Sequence, residues 1–242
     1  MSSRRAILAQ TRVELILTLR RGESLLLSFL IPLGILVFFS KVSAVKTSSN
    51  PVDFLVPGVL SLAVMSTAMV GLGIATGFER RYGVLKRLGS TPLSRSGLLA
   101  AKTINVVVIE LIQIVVIVAA GLALGWDPDG RFFLALLLLL LGTVAFAAIG
   151  MFLAGTLRAE TTLAAANGLF LVLLFLGGMA YPLNRLPDVL ASVARVLPAA
   201  ALSESVRAVL AGNNFPWSEL VVLLIWAILM PVVVVRTFRW EE

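Results

Sequence analysis

The sequence of 242 residues contains no cysteine and no histidine. Disulfides, thiolate nucleophiles, imidazole acid–base chemistry and the commonest transition-metal ligands are therefore excluded. Charged residues are also scarce, at 14% of the chain, whereas 59% of the residues are hydrophobic. A soluble globule of this size needs more polar surface than this composition supplies. Most enzyme mechanisms are thus removed, and lipid is the solvent that suits the chain.

The hydrophobic residues are concentrated in long apolar runs. A helix that crosses a bilayer needs about 20 mostly apolar residues. The sequence predicts one all-α integral membrane domain over residues 1–242, with six transmembrane helices at residues 25–39, 54–78, 97–124, 132–157, 161–181 and 220–235. The first run is short and contains Pro32, so we expect a kink there or an extension toward Val45. A neighbouring group should then bond the carbonyl that the proline frees.

The basic residues predict the orientation of the chain. Six spans place both termini on one side, and the positive-inside rule makes the more basic side cytoplasmic. Most of the 20 Lys and Arg residues lie before the first span, between the second and third spans, or near the C terminus. We therefore expect cytoplasmic termini in the plasma or inner membrane, and a mature chain that starts near Met1. Topology and membrane lipids explain the net charge of +7 without a nucleic-acid partner.

Two segments outside the spans also have helical patterns. In residues 1–24, Leu8, Leu15 and Leu19 form a stripe flanked by arginines, which predicts an amphipathic helix in the cytoplasmic interface. The alternative is a basic leader that only sets the orientation. Residues 182–214 contain two stretches that are too short to span and are punctuated by Pro187 and Pro198. We expect two short helices that dip into the external leaflet or cover its surface.

The most informative segment is the loop of residues 79–95, which reads ERRYGVLKRLGSTPLSR. Tyr82, Leu85 and Leu88 recur at helical spacing among basic residues, and Gly89 followed by Pro92 supplies a stop. This pattern predicts a short cytoplasmic helix between the second and third spans. Such a helix either anchors on lipid headgroups or docks in a groove of a soluble partner.

This loop resembles the first cytoplasmic loop of the ABC-2 family of transporter permeases. The residues that match the family pattern are Glu79, Gly83, Leu85, Arg87, Leu88, Thr91, Pro92 and Leu93. A second stretch, residues 177–210, resembles the fifth helix of the family, its external proline-containing segment and the return toward the last span. The two motifs occur in the expected order, so the resemblance covers essentially the whole chain.

The resemblance implies that residues 79–88 form a coupling helix that passes force between an ATPase and the membrane helices. The implied ATPase-coupling residues are Glu79, Arg80, Tyr82, Gly83, Leu85, Arg87, Leu88, Thr91 and Pro92. Many family members have acidic residues at the positions of Arg81 and Lys86, and Thr at that of Val84. A basic rim selects an acidic counterpart, so these departures bear on the charge of the partner's groove.

The partners follow from the same resemblance. The chain has no G-x-x-x-x-G-K-[ST] phosphate loop, so ATP and Mg are expected on a separate ATPase subunit, with no cofactor or metal on this chain. Two permease copies, either identical or related, are expected on two ATPase subunits.

Several residues within the spans are candidates for a translocation path or a dimer interface. For Glu110, with Gln113 nearby, the alternatives are an ion pair with Lys102, a contact with substrate and a link between helices. We favour a neutral or hydrogen-bonded side chain that holds helices together. Asn167 lies among small residues and favours a subunit interface that borders the path. Met65 and Met69, with Phe170 and Phe175, would line an adaptable apolar cavity or else form lipid-facing or packed bulk; these candidates are Met65, Met69, Glu110, Asn167, Phe170 and Phe175.

The leading functional prediction is the permease subunit of an ATP-driven exporter of hydrophobic or amphipathic molecules, such as drugs, lipids or lipid-linked glycans. A channel or a secondary transporter without an ATPase is the first alternative, for which several intramembrane charges or matching broken helices are expected. An intramembrane enzyme is the second, and it would need clustered catalytic groups. A single isolated carboxylate, Glu110, in a chain without histidine does not supply such a cluster of catalytic groups.

Overall fold

The computed structural model describes residues 3–20, 22–42, 51–91, 93–128, 130–179 and 182–240. All regular structure in these residues is helical. It comprises eleven α-helices, which are α1 (Ser3–Arg20), α2 (Gly22–Val42), α3 (Pro51–Val64), α4 (Leu72–Arg81), α5 (Val84–Gly89), α6 (Arg95–Ala123), α7 (Phe132–Thr156), α8 (Ala159–Leu176), α9 (Asp188–Arg195), α10 (Pro198–Leu210) and α11 (Trp217–Thr237). A π-helix (Met65–Gly71) lies between α3 and α4, and a 3₁₀ turn (Leu183–Arg185) lies between α8 and α9.

Among the residues that the structure describes, five helical segments are long and apolar enough to cross a membrane. They are the composite helix Pro51–Arg81 together with α6, α7, α8 and α11. A sixth span results if α9 and α10, which are bent by 84°, count as one. The predicted first span, residues 25–39, lies within α2, where the structure describes the shorter apolar stretch Ser28–Lys41. The all-helical multi-pass fold is therefore confirmed with five to six candidate spans, and the arrangement of six spans stays a prediction.

Most predicted boundaries agree with the helices to within three residues, with one exception. The fifth span was predicted over residues 161–181, whereas α8 ends at Leu176. Gly178 follows with a φ of +66°, a left-handed conformation that ends the helix. The last two residues of the predicted span lie outside the described ranges.

The second span is interrupted, which the sequence analysis did not predict. The π-helix Met65–Gly71 separates α3 from α4 within one continuous helical segment. Its backbone lies against Gly150 of α7, where an added Cβ would sit 2.5 Å from the carbonyl oxygen of Met69. In the same way, a Cβ added at Gly73 of α4 would sit 3.0 Å from the Gly150 carbonyl oxygen. Only glycines allow two helix backbones to come this close.

The kink proline in α2 has the compensating partner that we expected. Pro32 has no N–H, so the carbonyl of Ser28 loses its intrahelical donor. The side chain of Gln113 on α6 donates to that carbonyl at 3.0 Å. Its own carbonyl oxygen accepts from Thr67 of the π-helix at 3.1 Å. One amide therefore ties together α2, α6 and the π-helix.

The N-terminal helix turns a polar stripe, and not its apolar one, toward the bundle. Thr11 and Glu14 are buried against α6, whereas Leu8 and Leu19 are among its most exposed side chains. The predicted apolar face thus points away from the protein. This arrangement suits a helix that lies on lipid and uses polar contacts to hold the bundle.

The two short helices predicted within residues 182–214 form as α9 and α10. Pro187 precedes α9, and Pro198 opens α10 at its first position, where the missing N–H costs nothing. Arg207 of α10 donates to Glu204 and to the Gly178 carbonyl, the latter at 2.8 Å. Its guanidinium also lies 4.0 Å from the centre of the Phe54 ring. This arginine fixes α10 to the ends of α3 and α8.

Candidate functional site

The loop of residues 79–95 does not form a single helix. Glu79 and Arg80 belong to the end of α4, and the separate helix α5 starts only at Val84. Gly83 lies between them with a φ of +72°, which breaks the helix and lets the chain turn. The predicted coupling helix is therefore shorter than the pattern suggested. The reason is this glycine, which the sequence analysis read only as part of a motif.

Glu79, Arg80 and Leu85 of this segment face into the protein. The Glu79 carboxylate accepts from the Lys102 ammonium at 2.7 Å. Arg80 is buried and donates to the carbonyl of Leu157, at the end of α7, at 2.6 Å. Leu85 is completely buried. Glu79 and Arg80 thus join the loop to α6 and to the end of α7.

The other side of the loop is exposed. The Tyr82 side chain is 72% exposed, and Lys86 and Arg87 lie on the surface beside it. Together with Gly83, Gly89, Ser90 and Trp240 they line an open depression of about 750 Å³. Trp240 follows the last span, and its ring lies against Gly89. The sequence analysis missed Trp240, although a half-buried aromatic residue just beyond a span is a recognisable signal.

The turn after α5 is closed by hydrogen bonds. The Thr91 hydroxyl donates to the Leu88 carbonyl at 2.6 Å and accepts from the Leu93 amide at 3.3 Å. Ser94 then caps α6 by accepting from the Gly97 amide at 3.1 Å. Thr91 thus shapes the return into α6. Pro92, the other predicted coupling residue here, lies outside the described residues.

A buried ion-pair cluster lies directly behind this loop. Lys102 of α6 is 1% exposed and contacts the carboxylates of Glu14 at 2.8 Å and Glu79 at 2.7 Å. Gln10 also donates to Glu14, at 2.9 Å. The cluster therefore links α1, α4 and α6 at one point. Of the alternatives left open for Glu110, pairing with Lys102 is not the one seen, because Lys102 contacts Glu14 and Glu79.

Glu110 lies deeper in the bundle. It is buried and accepts from the Thr143 hydroxyl of α7. Its second carboxylate oxygen has no hydrogen-bond partner among the described residues. A contact from α6 to α7 agrees with the interpretation that Glu110 joins helices.

The other candidate residues are distributed differently. Met65 and Met69 are fully buried in the core and line none of the described cavities. Phe170 is half-buried against the core, and Phe175 is exposed. Asn167 is exposed, and its amide donates to the Leu163 carbonyl of its own helix at 2.8 Å. The structure therefore does not gather these residues into one path within the chain.

A groove of about 610 Å³ opens beside the ion-pair cluster. Its walls come from α1, α2, the π-helix, α4 and α6. Leu17, Ile31, Val70 and Phe78 supply apolar surface, and the cluster and Asn105 supply polar groups. The sequence analysis missed this groove, because its residues are scattered over five elements. In the part of the chain that the structure describes, no group of three or more acidic side chains could hold a metal ion.

The apolar spans, the buried glycine contacts and the few satisfied polar links define a multi-pass α-helical membrane protein. The chain matches the family model of the ABC-2 type transporter over residues 5–211 and belongs to that family. It is 25% identical over 231 residues to the protein named "Putative transport permease YvfS" of Bacillus subtilis, and the match covers 91% of each chain. It is 28% identical over 220 residues to "Putative transport permease ycf38" of Pyropia yezoensis, covering 86% of this chain and 74% of the relative. A relative of the same name from Porphyra purpurea is also 28% identical, over 222 residues. The protein is thus an ABC-2 family transport permease.

Proposed function

We propose that this chain is the membrane-spanning subunit of an ATP-binding-cassette exporter, driven by ATP that a separate ATPase subunit hydrolyses. The single observation that carries the proposal is the exposed face of α5. Lys86 and Arg87 of α5, with Tyr82 just before this helix, form a basic and aromatic surface that we call the α5 surface. The opposite side of the helix, at Leu85, is anchored in the core. A partner bound to this surface pushes on a unit that is fixed to the spans.

The anchoring contacts provide the route for that force. Glu79 joins the end of the second span to Lys102 of α6, and Arg80 joins it to the end of α7. Trp240 links the same loop to the segment after α11. These contacts connect the loop with α6, the end of α7 and the segment after α11, so a displacement of α5 is transmitted through packed side chains.

The membrane arrangement and the stoichiometry are part of the same proposal. The α5 surface faces the cytoplasm, both termini lie there, and the protein resides in the plasma or inner membrane. A second permease copy, identical or related, packs on the outer face of α8. There Gly168 has no atom within 4 Å of an added Cβ, and Leu171 is exposed, so another helix can approach closely. The cargo is a hydrophobic or amphipathic molecule moved outward.

Co-purification from the native host in mild detergent tests the ATPase partnership. Tyr82→Ala with Arg87→Glu changes only exposed side chains of the α5 surface. The matched control, Phe133→Ala with Arg131→Glu, removes an equally exposed aromatic ring (72% in both cases) and reverses an exposed arginine at the start of α7. An ATPase should accompany the wild type and the control but not the α5 variant. If no ATPase associates with the wild type, or if only the control variant loses it, the proposal fails.

A further inference from the structure

The groove beside the ion-pair cluster contains an unused hydrogen-bond acceptor. Asn105 of α6 lines the groove and is 6% exposed. Its amide nitrogen donates to the Thr18 hydroxyl of α1 at 3.1 Å. Its carbonyl oxygen is buried and has no hydrogen-bond partner among the described residues. Leaving a buried acceptor unpaired costs about 1–3 kcal/mol, so such an atom at a cavity wall indicates a ligand that donates.

The charge of the groove points to the same kind of ligand. The Asp, Glu, Lys and Arg side chains among its described lining residues are Glu14, Glu79 and Lys102. Two carboxylates and one ammonium leave the cluster with a net negative charge, although Lys102 is almost wholly buried. A cationic group placed here restores neutrality, whereas an anionic group meets two carboxylates. Both the charge and the free acceptor therefore select a protonated amine.

The remainder of the groove fits an apolar body. Leu17 and Ile31 form an exposed rim, and Val70, Ile74 and Phe78 form the wall below it. The volume of about 610 Å³ lies within the range of about 300–1,000 Å³ that is usual for sites of drug-sized ligands. One wall is the π-helix, a distortion that occurs frequently at functional sites. It brings Ser66 and Thr67 to the groove lining.

From these observations we propose that the groove binds a single-chain cationic amphiphile, with its amine between Asn105 and the Glu14–Lys102–Glu79 cluster and its chain along the apolar wall. This is a ligand site within one permease chain. It does not depend on the ATPase partnership proposed above.

The first test is a headgroup series on the full chain in nanodiscs. Tritiated tetradecylamine, tetradecanol and tetradecanoate share one chain and differ only in their polar group. Scintillation proximity measures their binding, and empty nanodiscs correct for partition into lipid. Because a hydrogen bond to a charged group contributes about 1.5–3 kcal/mol, the amine should bind at least about tenfold more tightly than the alcohol. The carboxylate should bind most weakly. Equal affinities of amine and alcohol, or preference for the carboxylate, would overturn the proposal.

Variants locate the site. Asn105→Ala removes the free acceptor, and Glu14→Gln removes the excess negative charge but keeps an acceptor for Lys102. Each should reduce amine affinity about fivefold to tenfold, and Glu14→Gln, which changes only the charge, should leave tetradecanol binding unchanged. Asn213→Ala makes the same substitution as Asn105→Ala on an exposed loop outside the groove and should change nothing. If amine binding survives both groove variants, the site lies elsewhere. The wild-type headgroup series remains decisive even if a variant fails to fold.

Discussion

Replacing Lys102 with methionine tests the buried ion-pair cluster. The substitution keeps the length of the side chain and removes the ammonium that lies 2.8 Å from Glu14 and 2.7 Å from Glu79. With an effective dielectric constant of about 20, each contact supplies about 6 kcal/mol of attraction before desolvation is subtracted. Removing one partner of a buried pair typically costs about 3–5 kcal/mol, because the remaining charges stay buried. We therefore expect Lys102→Met to lower the free energy of unfolding by about 3–5 kcal/mol and to weaken the packing of α1 on the bundle.

The matched control is Arg81→Met, which breaks the ion pair between Arg81 and Glu160. Those side chains are 45% and 62% exposed, and an exposed pair contributes about 0–1 kcal/mol. Titration of purified protein with SDS, followed by circular dichroism, gives the free energy of unfolding for each variant. Adding Glu14→Gln and Glu79→Gln to Lys102→Met should recover part of the loss, since no unpaired buried charge remains. Equal stabilities of Lys102→Met and Arg81→Met would refute the reasoning.

Three further substitutions follow from the packing. Gly150→Ala should cost about 1–3 kcal/mol of stability, because its Cβ is forced against the Met69 carbonyl. Gly168→Ala has open space around its Cβ and should not destabilise the protein. Thermal unfolding in detergent compares the two variants. Gln113→Leu should lower the free energy of unfolding by about 1–3 kcal/mol, because the Ser28 carbonyl loses its donor. Pro32→Ala restores a backbone N–H for that carbonyl and should recover part of the loss, and a double-mutant cycle measures this coupling. Glu110→Gln should match or exceed wild-type stability, because the amide still accepts from Thr143 and carries no charge; a loss above about 2 kcal/mol in SDS titration would contradict that.

The sequence predicted the parts of this fold that depend on hydropathy and missed those that depend on backbone contacts. Five of the six predicted spans agree with helices to within three residues at each end, because an apolar run in lipid has to satisfy its own backbone. The π-helix was missed, since it depends on how Gly150 of α7 meets the second span. The break at Gly83 was also missed, because Tyr82, Leu85 and Leu88 kept helical spacing across it.

The location of the candidate site stays a prediction from the sequence, and the direction of its side chains came only from the structure. The motif identified the loop, yet it did not separate the anchoring residues Glu79, Arg80 and Leu85 from the exposed Tyr82 and Arg87. Glu14 had no signal at all, because a single carboxylate in a basic leader looks like surface charge. Its partner, Lys102, lies 88 positions along the chain, and only the tertiary fold brings the two together.

The absence of cysteine from the chain makes a direct test of the central claim available. Single-cysteine variants Arg87→Cys, on the α5 surface, and Arg131→Cys, at the start of α7, can each carry a photoactivatable cross-linker in membranes of the native host. The account predicts an adduct with an ABC ATPase from position 87 and none from position 131. An ATPase adduct from position 131 alone, or no ATPase adduct from position 87, would contradict it.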